Sequence, residues 1–560
     1  MIDQFTRLAD LLELRGDVSE AAVLRRASVR LAEDATGGAR QLGGFDARTR
    51  WRAEEILQGR ASPLLAAAAR DLPRDFRRLL GTGLLTASDL VTLKRQLGVL
   101  TTGDLALALE GHVLAHRGVP EDLALRARHA LEATGADARL TLGRALDAVE
   151  PLLALLSALP FVSSASIAGS LRRIEPTVRD LKIVAATPAP EQVWRALEAA
   201  SETTSVRFHG AAGLTAQSGS HEVNVRLASP DRYGAALLFH TGSREHLALL
   251  RRRSAAARLR LAGDGLVGDS GPVPTETEEA AYARLALPFI APELRLGTDE
   301  VQDAAAGTLP RLLERSDIRG DLHVHTSYSD GRDPLDAMVA AAADLGYEYV
   351  AITDHSQSAA ASRTVSEDDL RRQWDHIDQV QERYPRMRIL KGVEADILPD
   401  GRLDFPDAVL ERLDIVLASL HDPAGHSPER LLKRYQAAAR HPLVAILTHP
   451  ANRLVGRYDG YDLDLDALFE TAAATGTVLE IDGAPSHLDL DGSLARRAAE
   501  SGVALSIDSD CHQARLLARQ INLGVGTARR GRVQAAQAIN TRSLDALLSR
   551  LALKRRGVSA

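Results

Sequence analysis

A strand-like segment recurs seven times in the C-terminal half of this 560-residue chain, and this recurrence constrains the fold more than any other feature. From about residue 316 the segments alternate with stretches of helical periodicity: "GDLHVHT", "YEYVAITDHS", "RILKGVEAD", "DIVLASLHD", "VAILTHP", "TVLEIDG" and "VALSIDSDCH". Alternating strands and helices indicate a parallel sheet, and so many repeats favour its closure into a barrel. Each segment carries a His, Asp or Glu at or near its C-terminal end.

These terminal polar residues predict a metal centre, because the chemistry of parallel barrels lies at the C-terminal ends of the strands. In the first segment His323 and His325 flank one valine, so the alternation of a strand points both to the same side. The candidate ligands are His323, His325, Asp330, His355, Glu394, His421, His449, Asp510 and His512.

The number and type of these candidates predict more than one ion. Six histidines and three carboxylates exceed what a single ion can use, so two or three divalent ions are expected. Mixed imidazole and carboxylate ligands favour Zn, Mn or Fe over Mg or Ca. Glu394 is the candidate catalytic ligand that bridges two ions next to a metal hydroxide, since a carboxylate can span two ions and an imidazole cannot.

Other polar residues near the strand ends are candidates for a supporting role. Asp354, Asp482 and Asp508 are expected to orient ligand imidazoles. Arg453 and Arg457, in "HPANRLVGRYDG", are candidates for clamping a phosphate, and a solvated arginine is an equal alternative for each.

The motifs of this region resemble those of the polymerase and histidinol phosphatase (PHP) superfamily. The matching stretches are "DLHVHTSYSDG", "YVAITDHS", "GVEADILPDG", "ASLHDP", "LTHP" and "SDCH", and all nine expected ligand positions are filled. The resemblance covers about residues 316–545. It implies a distorted seven-stranded barrel that uses three divalent ions to hydrolyse phosphoesters.

The upstream half has a different organisation. Residues 1–150 show short helical periods, with breaks at Gly43-Gly44, Gly81-Thr-Gly83 and Gly118-Val-Pro120. From about 151 a small α/β unit is expected, with strands in "FVSSASIAGS", "LKIVAAT" and "HEVNVRLAS" and one helix around "EQVWRALEAA". Residues 235–300 show a mixed pattern.

The run "GSLRRIEPTVRDLKIV", with "YGAALLFHTGSREH" and "LPFIAPELR", resembles the palm and thumb of family X DNA polymerases, which in bacteria often carry a fused PHP domain. Gly169 and Ser170 match the family's triphosphate-binding Gly-Ser, and Arg172 or Arg173 follows. The fold class expected is a multidomain α/β chain. Its domains are an 8-kDa-like helical domain (1–90), a helical fingers-like domain (91–150), an α+β nucleotidyltransferase-like palm (151–235), a thumb (236–300), a linker (301–315), a (β/α)7 PHP barrel (316–545) and a tail (546–560).

The predicted palm departs from the polymerase pattern. Such polymerases hold two metal ions with three aspartates. Asp180 fits the first position, but Lys182 stands at the second and Asn224 at the third. Because an ammonium group repels metal ions and an amide is a poor ligand, the palm is expected to hold Mg or Mn poorly. Its polymerase activity is therefore expected to be weak or lost, and nucleotide binding there is uncertain.

The helix-hairpin-helix signature, whose Gly-x-Gly turn grips a DNA phosphate, is also eroded. The segments "QLGGFDARTRW" and "LLGTGLLTASD" are partial matches, and only Gly81-Thr-Gly83 keeps the spacing.

The charge distribution bears on DNA binding. The chain carries a net charge of −7, and residues 1–300 hold 37 Lys and Arg against 37 Asp and Glu. A nucleic-acid-binding protein usually has a basic excess, so contacts with DNA would rest on local clusters such as Arg251, Arg252 and Arg253. The single cysteine suits a reducing cytoplasm, and neither a signal peptide nor a long apolar run is found, so no membrane partner is expected.

Four functions are compatible with these observations. The leading hypothesis is a DNA-repair phosphodiesterase with 3′-5′ exonuclease chemistry in the barrel, acting on gapped or damaged DNA ends. The second is a Mn-dependent gap-filling polymerase in which Asp180 and a nearby carboxylate such as Glu222 replace the lost ligands. The third is a non-catalytic scaffold that binds DNA ends or proteins, and the fourth is a small-molecule phosphatase.

Overall fold

The structure is a computed structural model that describes most of the chain. The described residues are 2–15, 18–33, 74–97, 119–133, 139–203, 205–219, 221–359, 363–423 and 425–557, with the isolated positions 50, 51, 54, 56, 65, 68, 72 and 105. The predicted breaks at Gly43-Gly44 and Gly118, and most of "QLGGFDARTRW", lie outside them. The chain divides into two compact units, 1–138 and 139–560.

The described part of the first unit is helical, as predicted. Its helices are α1 (Ile2–Arg15), α2 (Val18–Glu33), α3 (Arg74–Gly81), α4 (Ala87–Leu97) and α5 (Glu121–Ala133). Buried leucines of α1 and α4 share a core, and Glu13 accepts hydrogen bonds from Arg25 and Arg95. The turn between α3 and α4 contains Gly83 with φ +70°, a conformation that favours glycine. The boundary expected at 90/91 falls inside α4.

The second unit begins with a five-stranded sheet in the region predicted as the palm. Its strands are β2 (Ser164–Ile167), β4 (Leu181–Ala186), β7 (His221–Ala228), β6 (Gly213–Ser218) and β5 (Ser205–Phe208), in that spatial order. Only the β4–β7 pair is parallel. The predicted strands correspond to β2, β4 and β7. Strands β5 and β6 were not predicted, because β5 is a short half-exposed edge strand and glycines interrupt the turn between the two.

Helices and a short ribbon complete this region. They are β1 (Leu140–Thr141), α6 (Leu142–Ala158), α7 (Gly169–Arg172), β3 (Thr177–Val178) and α8 (Pro190–Glu198), and β1 pairs with β3. The buried face of α6, which includes Leu142, Val149 and Leu152, packs in the core of the five-stranded sheet. Residues 139–150 therefore belong with the sheet, and the boundary expected at 150/151 cuts a helix.

The region predicted as the thumb packs around a small antiparallel sheet. Its elements are α9 (Tyr233–Thr241), α10 (Arg244–Ala256), β8 (Arg260–Ala262), β9 (Gly265–Gly268), β10 (Gly271–Val273), α11 (Glu278–Arg284) and α12 (Glu300–Ala306). The expected boundary at 235/236 falls inside α9. The expected linker begins with α12, whose Val301 and Ala304 are buried in the core of this region.

The C-terminal region is the predicted seven-stranded parallel barrel. Its strands lie side by side in chain order: β11 (Gly320–Val324), β12 (Tyr349–Ile352), β13 (Arg388–Asp396), β14 (Ile415–Ser419), β15 (Ile446–Leu447), β16 (Val478–Asp482) and β17 (Leu505–Asp508). The first and last strands meet where Val324 bridges Cys511 and the His325 N–H donates to the Cys511 carbonyl at 3.0 Å. Cys511 is buried.

Helices surround this barrel and cover the end at which its strands begin. They are α13 (Leu335–Asp344), α14 (Glu367–Gln381), α15 (Asp407–Leu410), α16 (Pro428–Arg440), α17 (Leu465–Thr475), α18 (Gly492–Glu500), α19 (Leu517–Arg530) and α20 (Leu544–Arg555). Leu547 and Leu551 of α20 pack against the strands at their N-terminal ends. The expected tail is therefore a structural helix of the barrel.

Helix α19 joins the barrel to the rest of the second unit. Its Leu517 and Ile521 lie in the barrel core, whereas Leu523 lies in the core of the five-stranded sheet. Arg519 Nη1 lies 2.6 Å from Asp147 Oδ1, and Arg530 Nη1 donates to the Arg173 carbonyl at 2.7 Å. One helix thus anchors the two regions to each other.

Candidate metal centre

The structure brings all nine predicted ligands together at the C-terminal ends of the barrel strands. Three groups each present one ligand atom per residue within 4.8 Å of one another: His325, Asp330, His355 and His512; His323, His325 and Asp510; His355, Glu394 and His421. The ninth residue, His449, places its Nε2 atom 3.0 Å from Glu394 Oε1. Parallel strands produce this convergence because all of their C-terminal ends open on the same side.

Glu394 lies at the middle of the cluster, and its two oxygens face different imidazoles. Glu394 Oε2 lies 2.6 Å from His355 Nδ1, 3.5 Å from His323 Nε2 and 3.6 Å from His325 Nε2. Glu394 Oε1 lies 3.0 Å from His449 Nε2 and 3.5 Å from His421 Nε2. A carboxylate placed in this way can contribute one oxygen to each of two neighbouring ions.

His323 and His325 lie together on one side of Glu394. The Nε2 atoms of His323 and His325 are 3.0 Å apart, and His323 Nδ1 lies 2.7 Å from Glu480 Oε1. Because the Glu480 carboxylate accepts the proton on Nδ1, the lone pair of His323 is on Nε2 and faces His325. The donor atoms of the pair therefore converge on one point.

The outer part of the cluster is accessible to solvent. Asp330 Oδ1 lies 3.1 Å from His512 Nε2, and the His512 ring stacks on His325 at a centroid distance of 4.2 Å. The side chains of His512, Asp330 and His421 are 31%, 21% and 20% exposed, whereas His323, His325 and Glu394 are fully buried. A solute can thus reach the outer residues while the inner ones stay dry.

Charge and burial shift the pKa values of these groups. Burial opposes ionisation of Glu394, but the surrounding imidazoles hold its pKa well below the usual range. Burial lowers and the Glu394 carboxylate raises the pKa of His449, which reaches about 9. His512 likewise reaches about 9 through its hydrogen bond with Asp330. Burial next to other imidazoles lowers the pKa of His325 to about 3. The Glu394 carboxylate therefore favours a positive charge on His449, whereas His325, with its lowered pKa, favours the neutral form.

Two ligand-type atoms in the cluster lack a partner. His325 Nδ1 and His449 Nδ1 are buried without a hydrogen-bond partner among the described residues. Unsatisfied buried polar atoms are rare in folded proteins. The donor set, imidazole nitrogens with carboxylate oxygens, is the one that Zn, Mn and Fe prefer.

Two of the three predicted supporting carboxylates bind backbone and other side chains. Asp354 accepts hydrogen bonds from Thr326 and Ser329 in the loop after β11, with Thr326 N 2.8 Å from Asp354 Oδ1. Asp508 accepts from Leu322 N and Asn540 Nδ2, both at 2.8 Å. Among the described residues neither of these two accepts a hydrogen bond from an imidazole, contrary to the prediction; they bind the backbone of β11 and of the loop after it instead. Asp482 accepts from Ala484 N.

Residues that do orient the imidazoles were missed in the sequence analysis. Glu480 binds His323 Nδ1, and its other oxygen accepts the His449 N–H at 2.8 Å. Asp396 Oδ2 lies 3.1 Å from His421 Nδ1. Glu480 precedes Asp482 by two residues and Asp396 follows Glu394 by two, so strand alternation places each on a face already known to be functional. That alternation was the signal available in the sequence.

The two arginine candidates for a phosphate clamp have surroundings of their own. Arg453 donates from Nε to the His487 carbonyl at 2.8 Å and lies 3.4 Å from Asp491. It lines a cavity of about 620 Å³ whose wall also includes Glu175 and Asp299. Arg457 is half-buried. Arg453 is therefore already bound to protein groups, and the structure does not place it on the metal-type ligands.

The predicted palm site has no comparable convergence of ligands. Lys182 Nζ lies 3.3 Å from Asp180 Oδ2, and Asn224 pairs directly with Lys182 across β4 and β7. The Asp180 side chain is 58% exposed. Among the described residues of 139–235, no group of three metal-type ligands is found.

The residues matched to triphosphate binding are partly engaged elsewhere. Gly169 has φ +70°, so it takes the left-handed conformation that favours glycine, and Ser170 follows it in α7. Arg172 Nη2 lies 2.7 Å from Glu278 Oε2, and its Nη1 donates to Thr241. Arg172 therefore links the palm region to the thumb region through an ion pair.

Comparisons with known proteins identify both halves of the chain. Residues 236–296 match the model of the DNA polymerase beta thumb, and residues 321–484 match that of the PHP domain. A protein of Bacillus subtilis (strain 168), named DNA polymerase/3′-5′ exonuclease PolX, is 32% identical over 550 residues, which cover 96% of each chain. The chain belongs to the PolX family. The expected resemblance to a family X polymerase with a fused PHP domain is thereby confirmed.

Shorter relatives of this PolX chain are named as probable phosphatases. One from Syntrophotalea carbinolica (strain DSM 2380 / NBRC 103641 / GraBd1) is 32% identical over 208 residues, which are 35% of this chain and 82% of the relative. One from Caldanaerobacter subterraneus subsp. tengcongensis is 31% identical over 177 residues, 30% of this chain and 65% of the relative. The expectation of an enzyme with phosphoesterase chemistry agrees with these relatives and with the PHP match.

Membership of this family also indicates which kinds of molecule and ion are bound. As a class, DNA polymerases bind DNA and nucleotides, and PHP phosphatases depend on metal ions. In the part of the chain that the structure describes, no helix is both long and apolar enough to cross a bilayer.

Proposed function

We propose that the barrel of this PolX family member hydrolyses phosphodiester bonds with two or three bound Mn, Zn or Fe ions, removing nucleotides from the 3′ ends of gapped or damaged DNA. The observation that carries this proposal is the position of Glu394, whose two oxygens face separate sets of imidazoles. The residues that would hold the ions are Glu394, which would offer one oxygen to each of two ions, and His323, His325, Asp330, His355, His421, His449, Asp510 and His512.

When bound, such ions act as Lewis acids and lower the pKa of a coordinated water toward neutrality. The chain's own residues supply the rest. Glu480 keeps the His323 proton on Nδ1, so that Nε2 is free to ligate. Asp396 orients His421 in the same way. Asp354 and Asp508 hold the backbone of β11 and of the loop after it in place, and the burial of Glu394 strengthens its attraction to the positive charges around it.

The partly exposed residues support entry of a polymeric substrate. Asp330, His421 and His512 lie at the open side of the cluster. A phosphodiester at a strand terminus can approach this side without entering the buried interior. Charge selection at this opening rests on the bound ions, because the protein itself contributes carboxylates as well as imidazoles.

The palm is proposed to have little or no polymerase activity. One carboxylate of three remains, and the Lys182 ammonium group lies 3.3 Å from it, where a metal ion would otherwise bind. Arg172 is paired with Glu278. On this proposal the upstream regions position DNA, and tight binding of Mg, Mn or a nucleotide in the palm is not expected.

A second candidate function is a Mn-dependent gap-filling polymerase. The Bacillus subtilis relative is named a DNA polymerase, and the Gly-Ser pair is present, with Gly169 in the left-handed conformation and Ser170 directly after it. The carboxylate suggested as a substitute ligand, Glu222, forms an ion pair with Arg207. It would have to leave that arginine before it could bind a metal ion.

The proposed domain organisation follows the structure where it differs from the sequence. We propose a helical N-terminal part in unit 1–138, a palm from 139 to about 235, a thumb that extends through α12, and a barrel that includes α20. The cytoplasm remains the proposed location, on the argument that the single cysteine, Cys511, is buried and reduced.

One comparison of substrates tests these functions. Purified protein with Mn²⁺ is given a primed gapped duplex, with and without nucleotides, and in parallel a phosphomonoester. Shortening of the primer supports the exonuclease, and extension supports the polymerase. Neither reaction would leave a scaffold, and release of phosphate alone would indicate a small-molecule phosphatase. The His323→Ala/His325→Ala variant must lose the shortening, whereas His441→Ala, at the opposite end of β15, must keep it.

A further inference from the structure

We infer that Asp482, His487 and Asp510 form an additional divalent-cation site beside the three groups described above. One ligand atom from each of these residues lies within 4.8 Å of the others. Neither Asp482 nor His487 belongs to the nine predicted ligands. The inference rests on the proposed function, because Asp510 would be shared with the ion held by His323 and His325.

The hydrogen bonds of His487 prepare it to bind a metal ion. Its Nδ1 lies 3.1 Å from the carbonyl oxygen of Arg453. A carbonyl can only accept, so Nδ1 carries the proton and Nε2 carries the lone pair. Ligand histidines are commonly fixed in this way, with the second nitrogen bound to a backbone carbonyl. The Arg453 Nε–H in turn donates to the His487 carbonyl at 2.8 Å, which holds the backbone of the ligand.

Asp482 supplies a buried carboxylate that lacks a complete set of partners. The residue is fully buried at the end of β16, and its Oδ1 accepts from Ala484 N at 2.6 Å. Its Oδ2 is buried with no hydrogen-bond partner. A carboxylate oxygen in this situation is costly unless a cation or a proton reaches it. This unpartnered atom is the observation, independent of the cluster itself, that points to a ligand.

The arrangement around Asp510 provides the third ligand. Asp510 Oδ1 lies 3.1 Å from His325 Nε2, on the side of the inner pair. Glu480, the other buried carboxylate nearby, already binds His323 Nδ1 and the His449 N–H. No ion pair or hydrogen bond joins Asp482 or His487 to Asp510, all of which the structure describes. The three residues thus surround a point at which a cation replaces direct contacts.

The site of Asp482, His487 and Asp510 is adjacent to the nine proposed ligands. The His487 ring stacks on His449 with a centroid distance of 5.7 Å and an interplanar angle of 27°. Because His449 faces Glu394, an ion held by His487 would add positive charge next to the proposed ligands.

Metal content tests the inference. Wild type, Asp482→Asn, His487→Ala and the control His441→Ala are stripped with a chelator, dialysed against Mn²⁺ and analysed for bound Mn²⁺ per chain. We expect wild type and His441→Ala to hold one equivalent more than either Asp482→Asn or His487→Ala. Circular dichroism establishes that each variant is folded, and if one variant does not fold, the other decides the outcome.

Two results would overturn the site, and they can be told apart from failure of the proposed function. Equal Mn²⁺ content in wild type and the folded variants would show that Asp482 and His487 hold no ion of their own. Loss of every equivalent in a folded variant would show that they support the shared ligands instead. Failure of the proposed function looks different, because wild type itself would then retain no Mn²⁺.

Discussion

Glu480 Oε1 lies 2.7 Å from His323 Nδ1, and this contact joins the sixth strand of the barrel to the first. The two residues are 157 positions apart in the chain. The contact determines which nitrogen of His323 faces the cluster, and the other Glu480 oxygen holds the backbone of His449. One carboxylate therefore sets the position of two proposed ligands without being a ligand itself.

Glu480→Gln is expected to weaken Mn²⁺ binding by about 10- to 100-fold while the barrel stays folded. The amide has nearly the same shape but lacks the charge that keeps the proton on His323 Nδ1. The effect is measured by titrating Mn²⁺ into protein from which a chelator has removed the metal. Glu500→Gln is the matched control, since Glu500 pairs with Arg496 on the surface. An unchanged affinity in Glu480→Gln would contradict the positioning role.

His323→Ala combined with His325→Ala is expected to remove metal from the inner part of the barrel and to abolish primer shortening. Two converging Nε2 donors, 3.0 Å apart, are lost together. Elemental analysis of the purified double variant measures the loss, with His441→Ala as control. Full retention of metal by the double variant would count against the proposed ligand assignment.

Lys182→Asp combined with Asn224→Asp is expected to improve nucleotide binding and extension of a gapped primer. The change adds carboxylates on the adjacent strands β4 and β7 to that of Asp180, which directly precedes β4, and it removes the ammonium group that lies beside Asp180. Asp180→Ala alone is expected to change little. Primer extension with Mn²⁺ is compared for the three proteins. A wild type that outperforms the double variant, or loses incorporation through Asp180→Ala, would show that the palm is catalytically active.

Gly526→Val is expected to lower the free energy of unfolding by about 1–3 kcal/mol, because the added atoms overpack the contact between α19 and the palm region. A Cβ atom at Gly526 would lie 2.8 Å from Ile174 Cγ1. Urea unfolding measures the loss. Gly81→Val is the control, since nothing lies within 4 Å of its Cβ position. Equal stabilities would mean that α19 packs less tightly on the palm than the structure indicates.

Lys554 is expected to make the free energy of unfolding depend on pH in the alkaline range. Burial, and then the Arg550 charge, lowers its pKa in the folded protein from 10.5 to about 8. The folded protein therefore binds this proton less tightly than the unfolded chain, so the penalty is complete below about pH 8 and disappears as the pH rises to about 10.5. Relative to Lys554→Met, the wild type should gain up to about 3 kcal/mol over this interval.

Urea unfolding of both proteins at about pH 7.5 and about pH 10 checks this expectation. Other lysines, tyrosines and arginines titrate in both proteins and cancel in the difference. At the higher pH the neutral amine keeps its hydrogen bonds to the carbonyls of Ala439 and Thr475, which methionine cannot form. A difference that stays constant with pH would contradict the lowered pKa.

The sequence by itself determined the barrel and the position of its ligands. Strand alternation put His323 and His325 on one side, and a ligand-type residue at the end of every strand-like segment indicated a common opening. Lys182 and Asn224, which stand where the polymerase motif has aspartates, were also evident, because a changed residue type in a known motif is visible in the sequence itself. These features depend on neighbours a few residues apart.

Only the tertiary structure decided which polar residues act on which. Asp354 and Asp508 stand at strand ends like the ligands, yet Asp508 accepts from Leu322 N, 186 residues away, and Asp354 holds a loop. Glu480 and Asp482 share one face of β16, but their depth along the strand gives the first to His323 and leaves the second facing His487 and Asp510. Partner choice of this kind follows from how strands distant in the chain are brought side by side, and local sequence patterns do not encode it.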